Sequence, residues 1–221
     1  MLDVIERETG PAPQWTVLWL HGLGADGSDF APIVPELVQP HWPDLRFVFP
    51  HADVRPITLN NGVRMRGWYD IVSLELAQRA DLPGLEASAA QVEALLQREH
   101  ARGIPPERIL LAGFSQGGAL ALWMGLQRKL PLGGLIALST YLPDAANAAA
   151  RLQPGASAQP LFMAHGTADP VVPYRYATLS AEALRGLGFG VDWHDYPMAH
   201  QVCLEEIQTL MAWMGRRFAA A

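Results

Sequence analysis

The sequence has a single cysteine, Cys203, among 221 residues. No intrachain disulfide can form, and nothing points to a secreted disulfide framework. Long apolar runs are missing as well. None approaches the roughly 18 residues that a transmembrane helix needs, so stable membrane insertion is not expected. Positive charge is scarce: 16 Lys and Arg stand against 22 Asp and Glu, for a formal net charge of −6. Basic residues gather only in pairs such as Arg128-Lys129 and Arg216-Arg217. A nucleic-acid or anionic-membrane partner is therefore not expected. The N-terminal stretch MLDVIERETGPAPQW is acidic where a signal peptide starts basic. Half the residues are hydrophobic, and a soluble cytoplasmic protein with one domain over 1–221 is the expectation.

Apolar runs alternate with helical patterns along the chain. WTVLWLHG, LRFVFPHAD, RILLAGFS, GLIALST, PLFMAHGTAD and FGVDWHDYP read as strands, and LDVIERE as an edge strand. LEASAAQVEALLQREHARG carries Leu85, Ala89, Val92, Leu95 and Leu96 at helical spacing, with Gly103 as its stop. QGGALALWMGLQRKL, PYRYATLSAEALRGLG and CLEEIQTLMAWMGRRF read as further helices, and FAPIVPELVQ as a short one. Such alternation implies an α/β fold with a mostly parallel sheet and helices on both faces. Ligands then collect at the edge formed by the strand C-termini.

The loop after RILLA is Gly113-Phe114-Ser115-Gln116-Gly117, a G-x-S-x-G between a strand and a helix. That context is a nucleophile elbow, in which small neighbours give clearance to a strained serine. A serine hydroxyl needs a base, and on this fold the acid and then the histidine follow it in the chain. His165, His194 and His200 follow Ser115, but only His200 lies in the loop between the last strand and the last helix. Asp169, in the loop after PLFMAHG, is the expected acid. Asp144, Asp192 and Asp195 are its rivals. A dyad of Cys203 with His200 is the competing chemistry, but it lacks an elbow.

VLWLHGLGADGSDF contains Gly22, Gly24 and Gly27 in the letters of a dinucleotide fingerprint. A ribose-binding acid is missing at the right place, since Asp44 precedes its strand and Asp53 comes late. An esterase uses this loop differently, to present a backbone N–H to an oxyanion. The expected donors are the N–H groups of Leu23 and Gln116, and no cofactor is called for.

HGLGADGSDF, RGWYDI, GFSQGGALAL, HGTADPVVP and MAHQVCLEEI together resemble the bacterial carboxylesterases of the acyl-protein thioesterase family, also called the phospholipase/carboxylesterase family. The resemblance runs from about WTVLWLHG to the last helix. It implies an α/β-hydrolase fold without a large cap domain, no cofactor or metal, and hydrolysis of small acyl ester or thioester substrates. It maps the family's triad onto Ser115, Asp169 and His200, its oxyanion donors onto Leu23 and Gln116, and it allows a homodimer. Arg64 and Arg66 depart from the eukaryotic members, which leaves open whether lipidated proteins are accommodated.

Residues 54–84 have the least regular periodicity and suggest a flap. Trp68, Leu74, Leu76 and Met163 are candidate walls of an acyl groove, although Trp68 and Met163 fit ordinary core equally well. Three other roles stay open: a protein thioesterase or lysophospholipase as the physiological task, a peptidase or amidase, and a catalytically inert ligand receptor on the same fold.

Overall fold

Strands whose every residue is buried dominate the centre of the chain, which is why they read as continuous apolar runs and do not alternate. The computed structural model describes residues 1–73 and 81–219. Among these, seven strands form one sheet. They are β1 (Val4–Glu8), β2 (Trp15–Leu20), β3 (Leu45–Pro50), β6 (Ile109–Phe114), β7 (Gly134–Leu138), β8 (Leu161–Gly166) and β9 (Val191–Tyr196). Their order is β1-β3-β2-β6-β7-β8-β9. Only β1 runs antiparallel, against β3; the others pair in parallel. This is the α/β-hydrolase fold.

The helices are α1 (Val34–Leu37), α2 (Leu82–Ala101), α3 (Gln116–Leu126), α4 (Ala148–Arg151), α5 (Tyr174–Gly186) and α6 (Leu204–Ala219). They cover two faces. Alternate strand residues send Leu18 and Leu20 towards α2, α3 and α5, and send Val17 and Trp19 towards α1 and α6. Every residue of α3 is buried, as expected for a helix that is apolar all round. At the sheet edge opposite the strand C-termini, Glu99 is fully buried. It is held by Thr16 at 2.9 Å and Arg46 at 2.9 Å. No helix among the described residues is long and apolar enough to cross a membrane.

The irregular segment 54–84 resolves into more structure than its periodicity suggests. A two-stranded ribbon, β4 (Val54–Ile57) with β5 (Val63–Arg66), turns through Asn61 and Gly62, both at positive φ. The Asn-Gly pair was the available signal for that turn. The segment's last three residues belong to α2, whose Asp81 cap accepts the Gly84 N–H at 3.0 Å.

Candidate active site

The strand-to-helix turn between β6 and α3 is tight enough to force its sequence. Ser115 sits at φ 54° and ψ −118°, a conformation that costs a non-glycine residue of order 1–3 kcal/mol. The turn is pinned on both sides. Ser115 N–H donates to Leu138 O at 2.8 Å, and Ser115 O accepts Thr140 Oγ1 at 2.6 Å and Ala119 N at 3.0 Å. A Cβ on Gly117 would lie 2.3 Å from the Leu20 carbonyl oxygen, and one on Gly113 would lie 2.3 Å from Gly117. The glycines therefore permit backbone contacts that no side chain allows.

Two loops at the same edge complete the geometry. His200 Nε2 lies 2.9 Å from Ser115 Oγ, and His200 Nδ1 lies 2.7 Å from Asp169 Oδ2. The other Asp169 oxygen accepts the N–H groups of Val171 and Val172, each at 2.8 Å. Burial pushes the Asp169 carboxyl upward, but the His200 and backbone hydrogen bonds outweigh it and hold it below the ordinary carboxylate value. Asp169 is thus ionised and can only accept. Nδ1 of a neutral His200 then carries the proton, which leaves Nε2 free to accept the Ser115 hydroxyl. His165, buried beside them, bonds Val172 O through Nε2 at 2.8 Å and braces the loop.

The rivals fall elsewhere. Asp144 pairs with Arg151 at 3.0 Å, and Asp192 with Arg216 at 3.1 Å. Both ring nitrogens of His200 are engaged by Ser115 and Asp169, so no dyad with Cys203 forms; burial pushes the Cys203 thiol up, away from reactivity.

The glycine loop behaves as a turn against the neighbouring strand. A Cβ on Gly27 would lie 2.4 Å from Phe49 O. The Gly24 N–H donates to Arg66 O at 2.8 Å, which ties the loop to the ribbon. Among the described residues the Leu23 N–H meets no backbone acceptor. Gln116 is the first residue of α3, so its N–H has no intrahelical acceptor either. The Gln116 side chain locks the approach of the ribbon's exit: its Oε1 accepts the Trp68 N–H at 2.7 Å, and its Nε2 donates to Tyr69 O at 2.7 Å.

The profile of the phospholipase/carboxylesterase family matches residues 3–215. The chain belongs to that family. Acyl-protein thioesterase 1 of Neurospora crassa is 40% identical over 211 residues, covering 91% of this chain and 86% of the relative. Acyl-protein thioesterase 1 of Mycosarcoma maydis is 38% identical over 228 residues, covering 96% and 95%. The crystal structure of Zea mays acyl-protein thioesterase 2 superposes with a TM-score of 0.85 at 27% identity, covering 99% of this chain and 100% of that one. These relatives are fungal and plant proteins, so they support the family and not the bacterial branch of it.

Two of the expected groove residues are buried. Trp68 is fully buried, with its indole N–H donating to His21 O at 2.9 Å. Met163 is 1% exposed within β8. Both are packed in the core. Leu74 and Leu76 lie outside the described residues.

Two open cavities bring together residues from separate elements. One, of about 200 Å³, lies between the β7 exit and α5 and is lined by Tyr141, Leu142, Tyr176 and Leu179 among others. Tyr141 OH is 2.9 Å from Tyr69 OH. The other, of about 310 Å³, has His200 in its wall with Asp29, Phe30 and Phe114. Several of these residues lie in the motifs quoted above, but no spacing shows that they share a wall, because they come from separate elements.

Proposed function

We propose that this enzyme cleaves acyl esters and thioesters through an acyl-enzyme on Ser115. The observation that carries the proposal is the position of His200, whose ring joins Ser115 Oγ at 2.9 Å to Asp169 at 2.7 Å. Ser115 Oγ attacks the substrate carbonyl while His200 Nε2 takes its proton. The negative charge on the carbonyl oxygen is received by the N–H groups of Leu23 and Gln116. His200 then gives the proton to the departing alcohol or thiol as its bond to the acyl carbon breaks. Water repeats the sequence to release the acid and restore the serine. Asp169 holds the tautomer and stabilises the imidazolium. The mostly apolar cavity beside Tyr141 and Leu179 suits the acyl chain.

The thioesterase names of the fungal and plant relatives extend the proposal to S-acyl substrates. The test is fluorophosphonate labelling located by peptide mass spectrometry, together with turnover of ester and thioester series of increasing chain length. Label on Ser115 and hydrolysis of both classes are expected. Label elsewhere, with turnover retained in Ser115→Ala, would overturn the proposal.

A further inference from the structure

The two cavities are lined by residues from opposite faces of the sheet. Tyr141 and Leu142 belong to the apolar layer of α2, α3 and α5, whereas Phe30, Phe114 and Val202 belong to the layer of α1 and α6. Only the second cavity has a member of the Ser115-His200-Asp169 chain in its wall, and that member is His200. The group that leaves must receive its proton from His200 Nε2, so it must lie within hydrogen-bond reach of that atom. The His200 cavity therefore suits the leaving group, and the apolar cavity beside Tyr141 suits the acyl part.

The chemistry of the His200 cavity is specific. Its wall holds Phe30, Ile33, Phe114 and Val202, and one carboxylate, Asp29. Phe30 is 8% exposed and stacks on Trp19 at 5.0 Å, so Phe114, 5.5 Å from Phe30 and 4.9 Å from the His200 ring, is the more open of the two rings. Asp29 forms no ion pair among the described residues, although Asp26 beside it is engaged by Ser28. Aromatic faces with an unpaired carboxylate attract cations, quaternary ammonium groups in particular. The net charge of −6 favours the same ligands at long range.

We infer that Asp29, with Phe30 and Phe114, forms a leaving-group subsite that selects esters and thioesters whose alcohol or thiol carries a positive charge. The inference rests on the serine-hydrolase mechanism above. Asp29 meets the charged part of the departing group and takes no part in proton transfer, so its loss should fall more heavily on cationic than on neutral substrates.

The test compares the butyryl ester of choline with that of 3,3-dimethylbutanol, in which carbon replaces the charged nitrogen. The two alcohols differ in intrinsic reactivity, so the decisive quantity is the change in their kcat/KM ratio between variants. Asp29→Asn should lower the ratio about two- to fivefold, the range of an exposed ion pair. Asp29→Lys should lower it further, and 0.5 M salt should narrow the difference. Glu182→Gln, which removes an exposed charge on α5, should leave the ratio alone. A second pair, the S-butyryl thioesters of acetyl-Cys-Lys-amide and acetyl-Cys-Gln-amide, separates a lysine-bearing thiol from a quaternary ammonium alcohol. Dependence of either pair on Asp29 supports the subsite and says which cation it takes. Turnover of the neutral ester, with neither ratio changed by Asp29→Asn, overturns the subsite and leaves the serine-hydrolase mechanism standing. Absence of turnover with every substrate overturns both.

Discussion

His200 reaches Ser115 at 2.9 Å across 85 positions of sequence. The contact exists because β6 and β9 deliver their exit loops to one edge of a parallel sheet. If that contact activates the serine, Ser115→Ala should lower kcat by a factor on the order of 10⁶. Cys203→Ala should stay within about twofold of the parent, because a thiol whose ionisation burial opposes is a poor nucleophile. Steady-state hydrolysis of p-nitrophenyl butyrate checks both.

Asp169 and Asp144 can be told apart by the same assay. Asp169→Asn should cost about 10⁴-fold in kcat, since an amide no longer fixes the Nδ1–H tautomer of His200. Asp144→Asn weakens an ion pair with Arg151 and should change kcat by less than about twofold. The opposite ranking would place the acid one strand earlier.

The oxyanion role of Leu23 depends on its backbone alone. Leu23→Ala should preserve most activity. Leu23→Pro removes the N–H and should cost about 10² to 10³ in kcat. Circular dichroism and thermal melting must first establish that the proline variant is folded, because the Gly24 N–H to Arg66 O bond is close by. Normal hydrolysis by a folded Leu23→Pro enzyme would refute the assignment.

Glu206 offers a pH test independent of catalysis. It is fully buried on α6, and neither carboxyl oxygen meets a partner at hydrogen-bonding geometry among the described residues. Burial pushes its pKa from 4.5 up to about 8, and the Cys203 backbone only partly offsets this. Between those values the folded chain keeps a proton that the unfolded chain has lost. Its contribution to stability is therefore present below about pH 4.5 and falls as pH rises towards 8. Glu206→Gln removes that dependence. Its melting temperature should match the parent near pH 5 and exceed it at pH 8 by about 5 °C or more, at roughly 2–4 °C per kcal/mol for a chain of this size. A constant difference across this window would mean that Glu206 does not titrate there.

Much of the architecture was legible because buried parallel strands and their crossover helices leave a coarse, repeated pattern. The ribbon at 54–66 was not. Its strands are four residues each, too short for alternation to register, and the Asn61-Gly62 turn signal does not show what flanks it. Trp68 illustrates a different limit. As a large aromatic in an irregular stretch it looked like a groove wall. Its burial follows from contacts with His21 and Gln116, 47 and 48 positions away in the chain, which carry no local signature.

The sequence by itself determined the glycines of the elbow, the candidates Ser115, Asp169 and His200 in their chain order, and the resemblance to the family. Elbow geometry is enforced by sterics between near neighbours, so Gly113 and Gly117 had to be written into the chain beside the serine. The tertiary structure alone decided which surfaces surround that serine. Asp29, Phe30, Phe114 and Val202 share one cavity with His200 because a sheet edge gathers loops from β2, β6 and β9, and cavity shape is the sum of long-range packing that no spacing of letters records.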